Sequence, residues 1–267
     1  MNATRQTELY REVAGDGPPV VLVHAGICDS RMWDPQWETF RPAHRVVRYD
    51  MRGFGRSPLA PGRYSPPADL IALLDELALG PVALVGASMG GGIDIQVAVA
   101  RPDLVSALVL VGSGLRGHDW SDYVTRSWEE EEAALERGDL DAAVEVNLRT
   151  WVDGPDRAPE QVDPEVRRKV GEMQRRAFEL WLPVGDAAQE EPLVLDVGER
   201  LGEISVPTLV VAGEHDVEDI HVVAERLERE IGATRVTIEG AAHLPSLEKP
   251  HEFDELVLPF LAEVGAA

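Results

Sequence analysis

The sequence predicts an α/β fold: a mostly parallel central sheet covered by helices, with a helical cap inserted between two halves of the sheet. Three observations carry this. Strand-length apolar runs recur along the chain. Segments with helical spacing separate them. The alternation stops between about Leu115 and Leu201 and then resumes.

Gln6–Val13 alternates and reads as a leading edge strand, with Gly15–Pro18 as the turn after it. Pro19–Val23, Arg45–Tyr49, Pro81–Val85, Ala107–Val111, Pro207–Ala212 and Arg235–Ile238 are short and β-branched. Several are apolar at every position, as strands buried on both faces must be. Pro66–Leu79 carries Leu70, Leu73, Leu74 and Leu77 at helical spacing and starts after Ser65 with two prolines, a good helix N-terminus. Ile220–Ile231 has the same spacing through Val223 and Leu227. His251–Val264 closes the chain with Phe253, Leu256, Val257, Phe260 and Leu261. Strands alternating with helices imply a parallel sheet with right-handed crossovers.

The segment Leu115–Leu201 has no strand signature. It holds Trp120, Trp128, Trp151 and Trp181, four of the chain's 6 tryptophans. Its Glu129–Glu132 run reads as a solvated helix face. The composition points to a cap between two halves of the sheet, with those tryptophans as candidate pocket walls, since rigid aromatic area suits a small-ligand site.

Charge excludes whole classes of partner. The chain has 25 Lys plus Arg against 48 Asp plus Glu, a net charge of −23 over 267 residues. Phosphate backbones and anionic membrane surfaces repel such a chain, so neither nucleic acid nor a membrane is expected as partner. The longest apolar runs are too short to cross a bilayer. Met1–Asp16 is polar and lacks the apolar core of a signal peptide. The one cysteine, Cys28, can form no intrachain disulfide. We expect a cytoplasmic protein. No metal-ligand spacing and no phosphate-binding glycine loop is present, so no metal and no cofactor is expected.

The chemistry is signalled at Gly86-Ala87-Ser88-Met89-Gly90, a G-x-S-x-G motif. It follows an apolar run and precedes the small-residue stretch Gly90–Ala100, which can be helical. Strand, tight turn and helix is the context a nucleophile elbow requires. A serine nucleophile needs a base, and the base needs an orienting acid. Asp216 follows the strand Pro207–Ala212, and His243 follows Arg235–Ile238. All three lie beyond the C-terminal ends of strands, where open α/β sheets bind ligands. Asp219 and Glu218 are alternative acids, and His215 is an alternative base.

With these residues in view, the sequence resembles the α/β-hydrolase family over nearly its whole length. His24-Ala25-Gly26 is similar to the family's His-Gly oxyanion loop, with Ala25 where glycine is usual. Asp50-Met51-Arg52-Gly53-Phe54-Gly55-Arg56-Ser57 resembles its D-x-R-G-x-G-x-S turn. The resemblance implies Ser88 as nucleophile, His243 as base and Asp216 as acid. It implies an oxyanion hole from the backbone N–H groups of Met89 and Gly26, with Ala25 or Ile27 as the alternative to Gly26. It also implies a cap after the sixth strand of the fold, dividing the chain into a core, 1–114 and 202–267, and a cap, 115–201. Ser88 argues against the members that carry aspartate at the elbow, the dehalogenases and epoxide hydrolases. The expected activity is hydrolysis of a small ester, thioester or lactone. The same core also serves C–C bond hydrolases, cofactor-free haloperoxidases or perhydrolases, and non-catalytic small-ligand receptors.

Overall fold

A computed structural model of the chain describes residues 9–265. Residues 6–8 of the predicted edge strand lie outside them, as does the opening of Met1–Asp16. In chain order the elements are β1 (Arg11–Ala14), β2 (Pro19–Val23), α1 (Asp34–Phe40), β3 (Arg45–Tyr49), β4 (Gly62–Tyr64), α2 (Pro66–Glu76), β5 (Val82–Ala87), α3 (Met89–Ala100) and β6 (Val105–Val111). Then come α4 (Asp122–Glu136), α5 (Leu140–Asn147), α6 (Pro164–Trp181), β7 (Ala188–Glu190), β8 (Thr208–Gly213), α7 (Glu218–Ile231), β9 (Thr234–Ile238), α8 (Pro245–Glu248) and α9 (Pro250–Gly265).

Seven strands form the main sheet in the order β1-β3-β2-β5-β6-β8-β9. Only the edge pair β1–β3 is antiparallel; the other five neighbouring pairs are parallel. Side chains alternate between the two faces, as the strand period of two dictates. Val20, Leu22, Val85, Val109 and Val211 pack with Phe40 of α1 and Phe253 and Val257 of α9. Val21, Val23, Leu84, Leu108 and Val210 pack with Leu70 and Leu74 of α2, Ile95 of α3 and Leu227 of α7. Burial on both faces is why these strands read as unbroken apolar runs.

The chain between β6 and β8 is mostly helical. Its buried residues Val124, Ala143, Trp151 and Val170 join the core on the α1 and α9 face. One expectation needs correction here. The segment is not free of strand: β7 pairs in parallel with β4, Gly62 opposite Ala188. Three-residue strands with no buried residue carry no apolar pattern to announce them. Within the Glu129–Glu132 run, Glu131 departs from a solvated face. It is half-buried, accepts a hydrogen bond from the Asn147 amide, and burial pushes its carboxyl up. Among the described residues no helix is long and apolar enough to cross a membrane.

Candidate active site

The turn after β5 builds the site. Ser88 has φ 52° and ψ −114°, a region that side chains with a Cβ rarely occupy, and it caps the N-terminus of α3. The glycines two residues to either side of it have no room for a side chain. A Cβ on Gly90 would lie 2.4 Å from the Val23 carbonyl oxygen, so α3 can approach β2 only with glycine there. The Ser88 backbone N–H donates to Val111 O at 2.8 Å, and Ser88 O accepts from Gly114 N at 3.0 Å. The turn is therefore tied to the end of β6.

That same β6 loop abuts the other two residues. At Gly112, φ is 51°, and a Cβ would meet His243 Nδ1 at 3.2 Å and Asp216 Oδ2 at 3.3 Å. Asp216 and His243, 4% and 2% exposed, follow β8 and β9. His243 Nδ1 lies 3.0 and 2.9 Å from the two Asp216 oxygens. Asp216 also accepts from Val217 N at 2.8 Å. A carboxylate can only accept, so Nδ1 carries the proton and Nε2 keeps its lone pair. The β5, β6, β8 and β9 ends thus bring Ser88, Asp216 and His243 to one edge of the sheet.

The His24–Gly26 loop lies next to the elbow. A Cβ on Gly26 would sit 3.6 Å from the Met89 side chain. Met89 is the first residue of α3, so its N–H has no acceptor within the helix. Cys28 N donates to Ala25 O, closing a turn with Gly26 and Ile27 at its centre. Ala25 N donates to Met32 Sδ at 3.3 Å.

A model of the alpha/beta hydrolase family matches residues 20–256. The chain belongs to the α/β-hydrolase family. Strigolactone esterase D14 of Arabidopsis thaliana is 28% identical, over 92% of this chain and 93% of that protein. The structure of the enol-lactonase from Burkholderia xenovorans LB400 matches with a TM-score of 0.78 at 25% identity, covering 97% of this chain and 98% of that one. A hydrolase from Pseudomonas aeruginosa PA01 matches with a TM-score of 0.77 at 28% identity, covering 95% and 94%.

The remaining candidates of this α/β hydrolase have partners of their own. His24 Nε2 accepts from Met51 N at 2.9 Å, so its Nδ1 carries the proton and donates to Ala25 O at 2.8 Å. Burial also pushes this imidazole down, which keeps it neutral. His24 braces its own loop against the Asp50–Ser57 turn. Within that turn Asp50 accepts from Ser30 N and Arg56 N, both at 2.8 Å, and Ser57 Oγ donates to Asp50 O at 2.7 Å. Arg52 holds Asp69 through two bonds of 2.5 and 2.8 Å. Cys28 is buried, and burial pushes its thiol well up.

Asp219 is engaged by residues other than His243. It accepts from Ser121 N and Oγ at 2.7 and 2.6 Å and lies 3.1 Å from His118 Nε2. Burial opposes its ionisation, but the bonds from Ser121 and His118 outweigh it and hold the carboxyl below the usual range. Glu218 is exposed, and His215 is half-buried beside Glu214.

The tryptophans divide. The Trp151 ring lies 4.5 Å from His243. Trp120 stands edge-on to Trp151 at 6.4 Å and to Trp128 at 5.4 Å. Trp181 is elsewhere: its Nε1–H donates to Gly53 O at 3.0 Å, and its ring meets Phe54. Two residues without a sequence motif also touch the His243 loop. Arg157 donates to Gly240 O at 2.9 Å, and Glu248 accepts from Ala242 N at 2.8 Å. Among the described residues no three His, Cys, Asp or Glu side chains gather to hold a metal ion.

Proposed function

We propose that this α/β hydrolase cleaves a small ester, thioester or lactone through an acyl-enzyme on Ser88. The observation that carries the reading is the Asp216–His243 pair beside the strained Ser88 turn. His243 Nε2 takes the Ser88 proton as Oγ attacks the carbonyl carbon. Asp216 steadies the imidazolium that results. The oxyanion develops toward the N–H groups of Met89 and Gly26, at the positive end of α3. Collapse expels the alcohol, thiol or ring-opened oxygen, which takes the proton from His243. Water, deprotonated by His243, then attacks the acyl carbon and frees Ser88 as the acid leaves.

The similarity to an esterase and to an enol-lactonase supports this class of substrate. Residues 115–201 act in this reading as the cap, with Trp120 and Trp151 nearest the chemistry. A single buried thiol supports a reducing compartment such as the cytoplasm. The test is a panel of p-nitrophenyl esters of graded chain length, plus simple lactones, run against Ser88→Ala. A fluorophosphonate probe should label Ser88 and leave Ser88→Ala unlabelled. Equal labelling or equal turnover in the variant refutes the assignment.

A further inference from the structure

The insert meets the His243 loop through the turn that follows α5. α5 runs without interruption into a π-helical turn, Leu148–Asp153, which ends at Gly154 with φ 77°. The last carbonyls of a helix have no partner inside it. Here the Trp151 carbonyl accepts the backbone N–H of His243 at 3.2 Å. The next two carbonyls, Val152 and Asp153, accept from Arg157 at 2.7 and 2.8 Å. π-turns are rare and recur at functional sites, because the extra residue re-aims side chains and carbonyls.

The residue that gives its carbonyl also gives its ring. The Trp151 indole and the His243 imidazole lie 4.5 Å apart, centre to centre, with their planes at 41°. Trp120 stands at 89° to the indole and backs it. Trp151 is 8% exposed and His243 2%, so little water screens the contact. An aromatic face attracts a cation within about 6 Å, and more strongly when both are desolvated. The neutral imidazole gains much less. The contact therefore strengthens as the base takes a proton, which is the requirement for lowering a barrier rather than merely binding.

We propose that Trp151 is a positioning residue for His243: its carbonyl fixes the backbone of the base and its indole stabilises the imidazolium. The proposal rests on the serine-hydrolase reading above and gives Trp151 a role beyond that of a pocket wall. Asp216 supports the same cation from the Nδ1 edge. The other charged or titratable neighbours are Arg157 and Glu248, which hold the His243 loop at Gly240 and Ala242, Glu214, which accepts from Gly240 N, and Ser88 across the β6 loop. His118 and Asp219 stand one ring further off, behind Trp120. All of them remain in the variants below, so differences between variants isolate the ring.

The experiment is the rate of Ser88 phosphonylation by a fluorophosphonate, measured across pH. In that step Oγ bonds to phosphorus, fluoride leaves and His243 takes the proton. Trp151→Phe keeps a ring and the carbonyl. Trp151→Leu keeps the carbonyl and apolar bulk without a π face. We expect Trp151→Leu to lower the plateau rate by about 3- to 10-fold, and Trp151→Phe to retain most of it. Without the π face the imidazolium is less stable, so His243 loses its proton at lower pH. The acidic limb of the Trp151→Leu profile should then move down by about half a unit to one unit.

Equal loss in both variants with the limb unmoved means packing alone and overturns the proposal. Should Trp151→Leu fail to fold, 5,7-difluorotryptophan placed at position 151 alone depletes the ring face at nearly constant shape. The limb should move down there too, and an unmoved limb again overturns the proposal. If the wild type is not labelled at Ser88, the serine-hydrolase reading fails and takes this one with it. If Ser88 is labelled and every variant shares one profile, the Trp151 role alone fails.

Discussion

Arg157 and Glu248 meet at 2.8 Å in the interior, their side chains 7% and 5% exposed. Arg157 also donates to Gly240 O, and the second Glu248 oxygen accepts from Ala242 N. The pair thus grips the His243 loop on its N-terminal side while tying it to the end of the π-turn. Removing one partner of a buried pair leaves an uncompensated charge and costs about 3–5 kcal/mol. Arg157→Ala and Glu248→Ala should each lose stability on that scale in urea unfolding. The double variant Arg157→Met with Glu248→Met should lose clearly less than the sum of the two single changes. A double-mutant cycle with no coupling would mean that the loop stands without the clamp.

The acid assignment predicts unequal effects at two carboxylates close in sequence, Asp216 before α7 and Asp219 in its first turn. Asp216 sits on His243 Nδ1, whereas Asp219 is occupied by Ser121 and His118. Asp216→Asn should lower kcat by about 10²–10⁴, because the amide no longer selects the tautomer that accepts the serine proton. Asp219→Asn should keep the pH profile of the wild type and lose stability through the weakened Ser121 contact. A crippled Asp219→Asn beside a near-wild-type Asp216→Asn would reverse the assignment.

The elbow was legible because its constraints are local. Gly86 and Gly90 are demanded by backbone and side-chain atoms that would lie 2.2 and 2.4 Å from a Cβ, and the motif records that demand in five residues. The strands β5, β6 and β8 were legible because burial on both faces leaves only apolar residues. The choice between Asp216 and Asp219 was not, since both follow β8 and spacing alone cannot aim a carboxylate. The β4–β7 pair joins Gly62 to Ala188 across most of the fold with no apolar signature. Arg157 meets Glu248 over a separation of 91 residues, and neither residue lies in a motif. The tryptophan count suggested aromatic walls, but only packing decided that Trp151 faces His243 and Trp181 faces Gly53.

Asp94 should make stability fall with rising pH. It lies in α3, fully buried, and neither carboxyl oxygen has a hydrogen-bond partner. Its Oδ2 lies where a Cβ on Gly86 would be, 2.2 Å from that point. Burial pushes its carboxyl well above the usual range. A raised folded value favours the neutral form, so its contribution is fully present below the unfolded value of about 3.9. It is lost as pH rises toward the folded value. Asp94→Asn removes this dependence. Unfolding free energies measured from pH 4 upward, starting near the unfolded value of about 3.9, should favour the variant increasingly with pH. A constant difference across that range would mean that Asp94 does not change its protonation on unfolding.

The four insert tryptophans should separate in a selectivity experiment. Trp120 is half-buried and touches Trp151, Trp128 and His118 with its ring. It is the tryptophan nearest the chemistry that does not itself touch His243. Trp120→Ala should therefore shift preference along an ester chain-length series, by up to about 10- to 200-fold if a full pocket wall is lost. Trp128 is 42% exposed and leans on the far side of Trp120, so Trp128→Ala should shift it far less. Trp181 is 38% exposed and is held by Gly53 O and the Phe54 ring. Its loss removes one hydrogen bond and one aromatic pair, about 1–3 kcal/mol together, from the Asp50–Ser57 turn. Trp181→Ala should lower the unfolding midpoint and leave the chain-length ratio unchanged. Trp151→Ala is uninformative here, because it also takes a contact from His243. Ratios measured on folded Trp120→Ala, Trp128→Ala and Trp181→Ala decide the matter. If Trp181→Ala moves the ratio and Trp120→Ala does not, the acyl group binds on the Gly53 side of the elbow rather than beneath Trp120.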